Sequence, residues 1–272
     1  MITMLRVVKI GGSVLRTGFP TNFFEDLKNI LREDKIVLVH GGASLVTDVA
    51  ERMGKKQQFI QSPDGMRSRY TDSETMEIYT MVMAGKINKQ IVASLAGQGI
   101  KAIGLSGVDG NLLKAERKKR LVIQDERGKK LVIDGGYTGK IRQVEGDLLS
   151  SLLNLGFMPV VAPIAIDDEF ALLNVDSDRA AAYIAGALKA DNLIFLTDVE
   201  GVILDGVKVD RMTVEDAKRN LERIGHGMRK KIYAAVEALG MGVKEAVVTS
   251  GLMNTPISSA VRHEGGTIIA PE

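Results

Sequence analysis

The sequence predicts an α/β protein, a three-layer αβα sandwich in which helices cover both faces of a mainly parallel β-sheet. Short β-branched runs alternate with segments of helical spacing, as they do in βαβ units. Several of these runs are largely apolar, as strands buried on both faces should be. We predict strands at residues 5–10, 35–40, 100–105, 157–162, 192–197, 243–249 and 266–270.

The clearest predicted helix covers residues 73–98. Its apolar residues recur at steps of three, four or sums of these, which places them on one stripe of a helix. Residues 176–189 and 228–239 have similar spacing. The stripe of the first helix consists of Ile78, Met81, Val82, Gly85, Val92 and Leu95.

Two segments break the alternation and are predicted as β-hairpins. Residues 112–133 contain two extended runs around the turn residues 125–128. Residues 202–209 contain a second hairpin that turns at Asp205 and Gly206.

Chain length and composition limit the architecture. The 272 residues, 45% of them hydrophobic, can form one large unit or two lobes that share a sheet. We place the boundary between two lobes at residues 166–173, so that the lobes comprise residues 1–170 and 171–272.

Composition also excludes several kinds of site. Without cysteine the chain can form neither a disulfide nor a thiolate metal site, and its three histidines are too scattered to predict a zinc site. The N-terminal residues do not form the apolar region of a signal peptide, and no uncharged apolar run reaches about 18 residues. We therefore expect a cytoplasmic protein with no membrane partner.

Two glycine pairs follow the first two predicted strands, in the runs KIGGS from Lys9 and HGGAS from His40. Glycine lets backbone N–H groups approach a phosphate closely, and a following helix N-terminus adds a positive dipole. One pair alone is more simply a tight turn, but two pairs at the carboxyl ends of parallel strands predict a phosphate site. Neither run matches the dinucleotide or Walker patterns. Lys9 lies in a buried strand and needs an anionic partner.

Polar residues at the ends of later strands predict the rest of the site. Asn174, Asp176 and Asp178 alternate, and alternate side chains of an extended segment point the same way. The alternative is that Asp176 or Ser177 caps the next helix. The run GHGMRKK from Gly225 opens a helix with cations at its positive end, and a bound polyphosphate would relieve their repulsion.

The motifs, taken in order, resemble the N-acetylglutamate kinase branch of the amino-acid kinase superfamily. They extend through nearly the whole chain: KIGGS from Lys9, HGGAS from His40, RYTD from Arg69, GLSGVDGNLL from Gly104, LNVDSDRAAA from Leu173, LTDVEGV from Leu196, GHGMRKK from Gly225 and GGTII from Gly265. The resemblance implies a kinase that uses ATP and Mg²⁺ to convert a side-chain carboxylate into an acyl phosphate.

The resemblance also implies a role for each matching residue. Lys9 and Lys231 would stabilise charge on the transferring phosphoryl group, and Asp178 would position both lysines. Arg69 would bind the α-carboxylate of the acceptor, and Asn174 the side that carries its amide-linked nitrogen. Positioning and charge stabilisation of this kind are what phosphoryl transfer requires.

Backbone and nucleotide contacts follow from the same resemblance. Residues 1–170 would bind the acceptor and form the dimer, and residues 171–272 would bind ATP. No protein ligand to a metal is implied. Backbone N–H groups that contact the γ-phosphate and the acceptor would come from Gly12, Gly41 and Gly42. The ATP site would be lined by Gly11, Gly12, Thr197, Asp198, Val199, Gly201, Gly227 and Met228.

The acceptor is predicted from the run GMRSRYTD, which starts at Gly65. Small-molecule enzymes of the family have a GLRVTD-like run with one arginine, so the second arginine leaves open whether Arg67 or Arg69 takes the family role. The run is similar to that of kinases acting on the amino-group carrier protein LysW. Those enzymes phosphorylate aminoadipate or glutamate attached to the carrier, in lysine and arginine biosynthesis.

Charge patterning is consistent with a carrier, because the carriers of this family are small and acidic. Between Lys114 and Lys130 there are eight basic and three acidic residues, a local net charge of +5 in a chain of net charge +2. Such a segment attracts an acidic partner. The alternative is a solvated basic hairpin without a partner.

Other functions remain open at this point. A free N-acetylglutamate kinase is the nearest alternative, and a non-catalytic nucleotide sensor is an alternative of another class. Lys9, Lys231 and Asp178 are all retained, which favours an enzyme, and an aromatic content of 4% argues against nucleic-acid binding. Residues 73–98 resemble the dimer helix of the family, so a homodimer is expected. Because the first strand starts near Leu5, we expect no N-terminal helix for arginine feedback.

Overall fold

The central sheet of the computed structural model contains eight strands, in the order β16-β18-β17-β13-β1-β2-β10-β5. The structure describes residues 3–20, 22–63, 65–125 and 128–271. The six strands from β17 to β5 run parallel, whereas β18 is antiparallel to β17 and pairs in parallel with β16. In chain order the strands are β1 (Leu5–Ile10), β2 (Lys35–His40), β3 (Phe59–Gln61), β4 (Arg67–Arg69), β5 (Ala102–Ser106), β6 (Leu113–Arg117), β7 (Arg120–Gln124), β8 (Lys130–Asp134), β9 (Gly139–Val144), β10 (Met158–Ala162), β11 (Ile164–Ile166), β12 (Leu172–Asn174), β13 (Asn192–Thr197), β14 (Val202–Leu204), β15 (Val207–Val209), β16 (Arg211–Thr213), β17 (Glu245–Ser250) and β18 (Thr267–Ala270).

Helices cover both faces of this sheet, which confirms the predicted three-layer sandwich. Successive residues of β1 point to opposite faces, so Val7 packs with the cluster that includes α7 and α9, and Val8 with the cluster that includes α2 and α10. The helices are α1 (Gly12–Thr17), α2 (Phe23–Leu31), α3 (Ala43–Arg52), α4 (Ser73–Thr80), α5 (Asn88–Gly97), α6 (Gly146–Asn154), α7 (Ser177–Ala187), α8 (Val214–Asn220), α9 (His226–Gly240) and α10 (Pro256–Val261).

The helix predicted at residues 73–98 consists of α4, a π-helical segment Met81–Ile87, and α5. The π segment adds a residue to the turn and changes which face is buried. Two residues of the predicted apolar stripe, Met81 and Gly85, are consequently exposed. That part of the prediction is wrong because a uniform period of 3.6 was assumed.

The first predicted hairpin is only partly correct. Strands β7 and β8 pair antiparallel around the predicted turn, of which Glu126 and Arg127 lie outside the described residues. The preceding extended run is divided, because β6 pairs with β9 in a second sheet of order β12-β11-β6-β9. The second hairpin, β14 with β15, is confirmed, and its turn residues Asp205 and Gly206 both have positive φ.

The predicted lobe boundary at residues 166–173 lies between β11 and β12, which pair antiparallel in the second sheet. The central sheet takes strands from both sides of that boundary. A division into acceptor and nucleotide lobes therefore stays a prediction. No helix in the described ranges is long and apolar enough to cross a membrane.

Candidate active site

The two glycine turns meet at the carboxyl end of the sheet, because β1 and β2 are adjacent and parallel. A Cβ atom on Gly12 would lie 3.0 Å from the backbone nitrogen of Gly42, and one on Gly41 would lie 3.2 Å from the nitrogen of Gly12. A side chain at Gly12 would therefore push two segments of backbone apart. Glycine, which has no Cβ atom, allows the two backbones to approach this closely.

Beside these turns, Asp178 lies between two lysines. Its Oδ1 atom is 2.7 Å from Lys9 Nζ, and its Oδ2 atom is 3.1 Å from Lys231 Nζ. Strand alternation directs Lys9 towards the helix layer that contains α7 and α9, where the first turn of α7 supplies Asp178 and the second turn of α9 supplies Lys231. The predicted catalytic residues are thus brought together.

This cluster is buried and carries an excess of one positive charge. Burial opposes ionisation of Asp178, but the charges of Lys9 and Lys231 lower its pKa to about 2. Burial also lowers the pKa of Lys9, an effect that the Asp178 carboxylate opposes. An anion bound next to the two ammonium groups would be stabilised in a region of low dielectric constant.

The backbone around Asp178 differs from the predicted extended segment. Strand β12 ends at Asn174, and Asp176 caps α7 by accepting hydrogen bonds from the backbone N–H groups of Asp178 (2.9 Å) and Arg179 (3.1 Å). Asp178 therefore reaches the lysines from a helix. The prediction that Asn174, Asp176 and Asp178 alternate along one strand is wrong, because a capping carboxylate starts a helix.

A cavity of about 430 Å³ opens next to Lys9 and Lys231. All the residues predicted to bind ATP line this cavity except Gly201. A Cβ atom there would lie 2.7 Å from Thr267 Oγ1, so Gly201 allows close packing against β18. The lining also includes Ser13, which was not among the predicted ATP-binding residues. The lining residues are Lys9, Gly11, Gly12, Ser13, Thr197, Asp198, Val199, Gly225, Gly227, Met228 and Lys231.

Of the two candidate arginines, Arg69 lies beside the second glycine turn. Its side chain is buried, and it donates hydrogen bonds to Ala43 O (2.7 Å), Thr47 Oγ1 (2.9 Å) and Gln57 Oε1. Arg67 is exposed on the same strand. Sequence reasoning missed Gln57, because this residue lies in a loop without a recognisable motif and only the fold brings it to Arg69.

Asn174 connects the RYTD run to the second sheet. Its side-chain amide donates to Thr71 Oγ1 at 2.9 Å, and the Thr71 carbonyl accepts from the backbone N–H of Tyr137 at 2.7 Å. Arg69, Thr71 and Asn174 therefore belong to one connected layer next to the glycine turns. Their roles in acceptor binding remain predictions.

Comparison with solved structures identifies the fold. The chain superposes on N-acetylglutamate synthase from Neisseria gonorrhoeae, solved in complex with coenzyme A and N-acetyl-glutamate, with a TM-score of 0.81 at 23% identity. The superposition covers 99% of this chain and 60% of the longer synthase chain. Carbamate kinase from Giardia lamblia bound to AMP-PNP gives a TM-score of 0.65 at 14% identity, with 99% of both chains covered. At these identities the likeness concerns the fold alone.

Sequence comparison is more specific. The putative LysW-aminoadipate/LysW-glutamate kinase of Nitrosopumilus maritimus is 50% identical over 265 residues, 97% of this chain and 99% of that protein. The LysW-aminoadipate/LysW-glutamate kinase of Saccharolobus islandicus is 46% identical over 264 residues, 97% of this chain and 98% of that protein. The model of the family described as "Amino acid kinase family" matches residues 4–250. With that match, these relatives and the shared fold, the chain belongs to the amino acid kinase family.

Proposed function

We propose that this protein is an ATP-dependent kinase that phosphorylates the side-chain carboxylate of aminoadipate or glutamate attached to the carrier protein LysW. The observation that carries the proposal is the intact cluster of Lys9, Asp178 and Lys231, whose two lysines line the cavity together with the first glycine turn. A nucleotide sensor would have no need for two lysines held on one buried carboxylate. The relatives of 46–50% identity, which are named for this reaction, supply the acceptor.

The chemistry follows from the charges. The acceptor carboxylate is ionised at neutral pH, so it needs no general base. One of its oxygens would bond to the γ-phosphorus of ATP while the bond from that phosphorus to the β,γ-bridging oxygen breaks, and ADP leaves with that oxygen. Lys9 and Lys231 stabilise the negative charge on the transferring group, and the N–H groups of Gly12 and Gly42 add to this effect. Asp178, with a pKa of about 2, stays ionised and therefore positions the lysines and does not transfer a proton.

The cavity suits a nucleotide that brings its own Mg²⁺. Among the described lining residues the only carboxylate is Asp198, and no group of three or more described acidic, histidine or cysteine residues could hold a metal ion. The ion would be held mainly by phosphate oxygens and water, with Asp198 as the available protein carboxylate. Its contribution when bound is to neutralise charge on the phosphates.

The carrier would dock on the hairpin formed by β7 and β8. Strand β7 packs against β3, which pairs with the strand that contains Arg69, so this hairpin adjoins the predicted acceptor pocket. Its surface combines cations with exposed apolar side chains, a composition that suits a small acidic protein. The exposed cationic and apolar residues are Lys119, Arg120, Val122, Lys129, Lys130, Leu131 and Val132, and the described part of the hairpin also exposes Gly128 and Asp134.

The proposal extends to the rest of the molecule. Residues 1–170 bind the acceptor and residues 171–272 most of the nucleotide, although Lys9, Gly11 and Gly12 also line the cavity. We expect a homodimer through the helix at residues 73–98, which exposes 53% of Met81, and we expect the reaction to occur in the cytoplasm.

The test is a hydroxylamine assay, which traps acyl phosphates as hydroxamates. Purified protein with Mg-ATP is given free N-acetylglutamate, free N-acetylaminoadipate, or LysW that carries glutamate or aminoadipate. We expect product with the loaded carrier only. Efficient turnover of free N-acetylglutamate would replace the proposal by a free N-acetylglutamate kinase. ATP binding without product from any acceptor would replace it by a nucleotide sensor.

A further inference from the structure

Lys230 connects the predicted acceptor region to the helix that borders the nucleotide cavity. Its Nζ atom donates a hydrogen bond to the backbone carbonyl of Arg67 at 2.7 Å, across 163 positions of sequence. The same Nζ atom lies 3.7 Å from Oδ2 of Asp176, the residue that caps α7. Lys230 therefore contacts β4 and the N-cap of α7 from the second turn of α9.

The second turn of α9 directs its two consecutive lysines to different partners. Lys231 contacts Asp178 and lines the nucleotide cavity, whereas Lys230 is absent from the lining and contacts Arg67 and Asp176. The carbonyl of Arg67 accepts a hydrogen bond from Lys230, and the carboxylate of Asp176 supplies an opposite charge nearby.

We propose that Lys230 is a positioning residue that fastens β4 to the second turn of α9, so that nucleotide binding orders the acceptor region. A nucleotide that fixes Lys231 also fixes Lys230, because the two are adjacent in one helical turn. The position of Lys230 then sets the position of Arg67 and, two residues further along β4, of Arg69. The linkage to acceptor binding rests on the proposed function, but the fastening of β4 does not.

Hydrogen–deuterium exchange tests the fastening without any turnover. Three variants are compared with the wild type: Lys230→Met removes the donor, Lys230→Arg keeps one, and Lys218→Met removes an exposed lysine of α8 as a matched control. A nonhydrolysable ATP analogue with Mg²⁺ should slow exchange in peptides covering residues 67–69 of the wild type, about 5-fold or more. Lys230→Met should lose this slowing, and Lys230→Arg and Lys218→Met should keep it. Equal slowing in Lys230→Met would overturn the proposal.

Kinetics then tests the linkage to the acceptor. In Lys230→Met, the KM for the loaded carrier should rise about 10-fold, the scale of one charge-assisted hydrogen bond, while binding of the ATP analogue alone changes less than about 2-fold. Weakened binding of the analogue alone would make Lys230 a nucleotide ligand and overturn the positioning role. If the wild type turns over no acceptor, the proposed function fails, and the exchange result still decides whether Lys230 fastens β4.

Discussion

Asp178 is the residue on which the candidate site depends most. It is buried and paired with the ammonium groups of Lys9 and Lys231, and the residue Lys9 is itself only 4% exposed. Removal of one member of a buried ion pair leaves an uncompensated charge, which costs about 3–5 kcal/mol. The site therefore depends on Asp178 both for the position and for the charge state of the lysines.

We predict that Asp178→Asn lowers kcat about 100-fold or more and also lowers the melting temperature. An amide keeps the shape but not the charge, so Lys9 loses its counterion and its pKa falls further. The hydroxamate assay and thermal unfolding measure the two effects. Asp205→Asn is the matched control, because Asp205 forms an exposed ion pair and asparagine tolerates its positive φ. A kcat for Asp178→Asn within 3-fold of the control would contradict the role of the carboxylate.

His40 is a second buried group with a shifted pKa. Burial is the main cause, and together with the charges of Lys9 and Lys89 it lowers the pKa from 6.5 to about 4. Below pH 6.5 the unfolded chain therefore binds a proton that the folded chain does not bind until about pH 4. Stability should fall by roughly 3 kcal/mol as the pH drops through this window.

Urea unfolding between pH 7.5 and 4 measures this loss. In His40→Gln the free energy of unfolding should depend less steeply on pH between 6.5 and 4, even though the variant is less stable at pH 7.5. Other titrating groups are common to both proteins, so the difference between the two slopes isolates His40. Identical slopes would show that His40 is not the group responsible.

At the scale of elements, long buried strands and a hairpin with a clear turn signal were predictable, whereas short strands without such a signal were not. Strands β1, β2 and β13 have the predicted bounds, because apolar β-branched runs of six residues carry a clear signal. Strands β3, β4 and β12 have three residues each, too few to show a period. They nevertheless supply Arg69 and Asn174, so the sequence could predict the glycine turns and the catalytic cluster better than the acceptor pocket.

The contact between the two glycine turns makes a prediction about these elements. In Gly12→Ala the new methyl group would lie 3.0 Å from the nitrogen of Gly42 and 3.1 Å from its Cα, and backbone cannot move aside as a side chain can. We expect kcat/KM to fall about 10- to 100-fold, since a displacement of about 1 Å in a catalytic site has effects of this size.

Gly240→Ala is the control for this experiment. A Cβ atom at Gly240, at the end of α9, would meet nothing within 4 Å. Alanine should leave activity unchanged there and stabilise the helix by up to about 1 kcal/mol. Full activity of Gly12→Ala would mean that the turns can separate without loss of function.

At the scale of the whole molecule, charge distribution determines which partner can approach the site. The sequence predicted a basic segment, but only the fold places β7 against β3 and therefore next to Arg69. Contacts such as Arg69 with Gln57 or Asn174 with Thr71 join residues that are distant or unpatterned in the chain. No rule of spacing predicts such contacts, because they depend on how two sheets are placed relative to each other.

The basic hairpin makes the last prediction. Reversal of two exposed charges, in the double variant Lys129→Glu and Lys130→Glu, should raise the KM for the loaded carrier about 10-fold at low salt, because an acidic partner is then repelled during approach. The matched control reverses Lys101 and Lys218, which are exposed outside this hairpin. Because added salt shortens the Debye length from about 10 Å at 0.1 M to about 3 Å at 1 M, the difference between the two double variants should shrink as salt is added. An equal rise in KM for both double variants would show that the effect comes from net charge alone. The hairpin would then not be the docking surface.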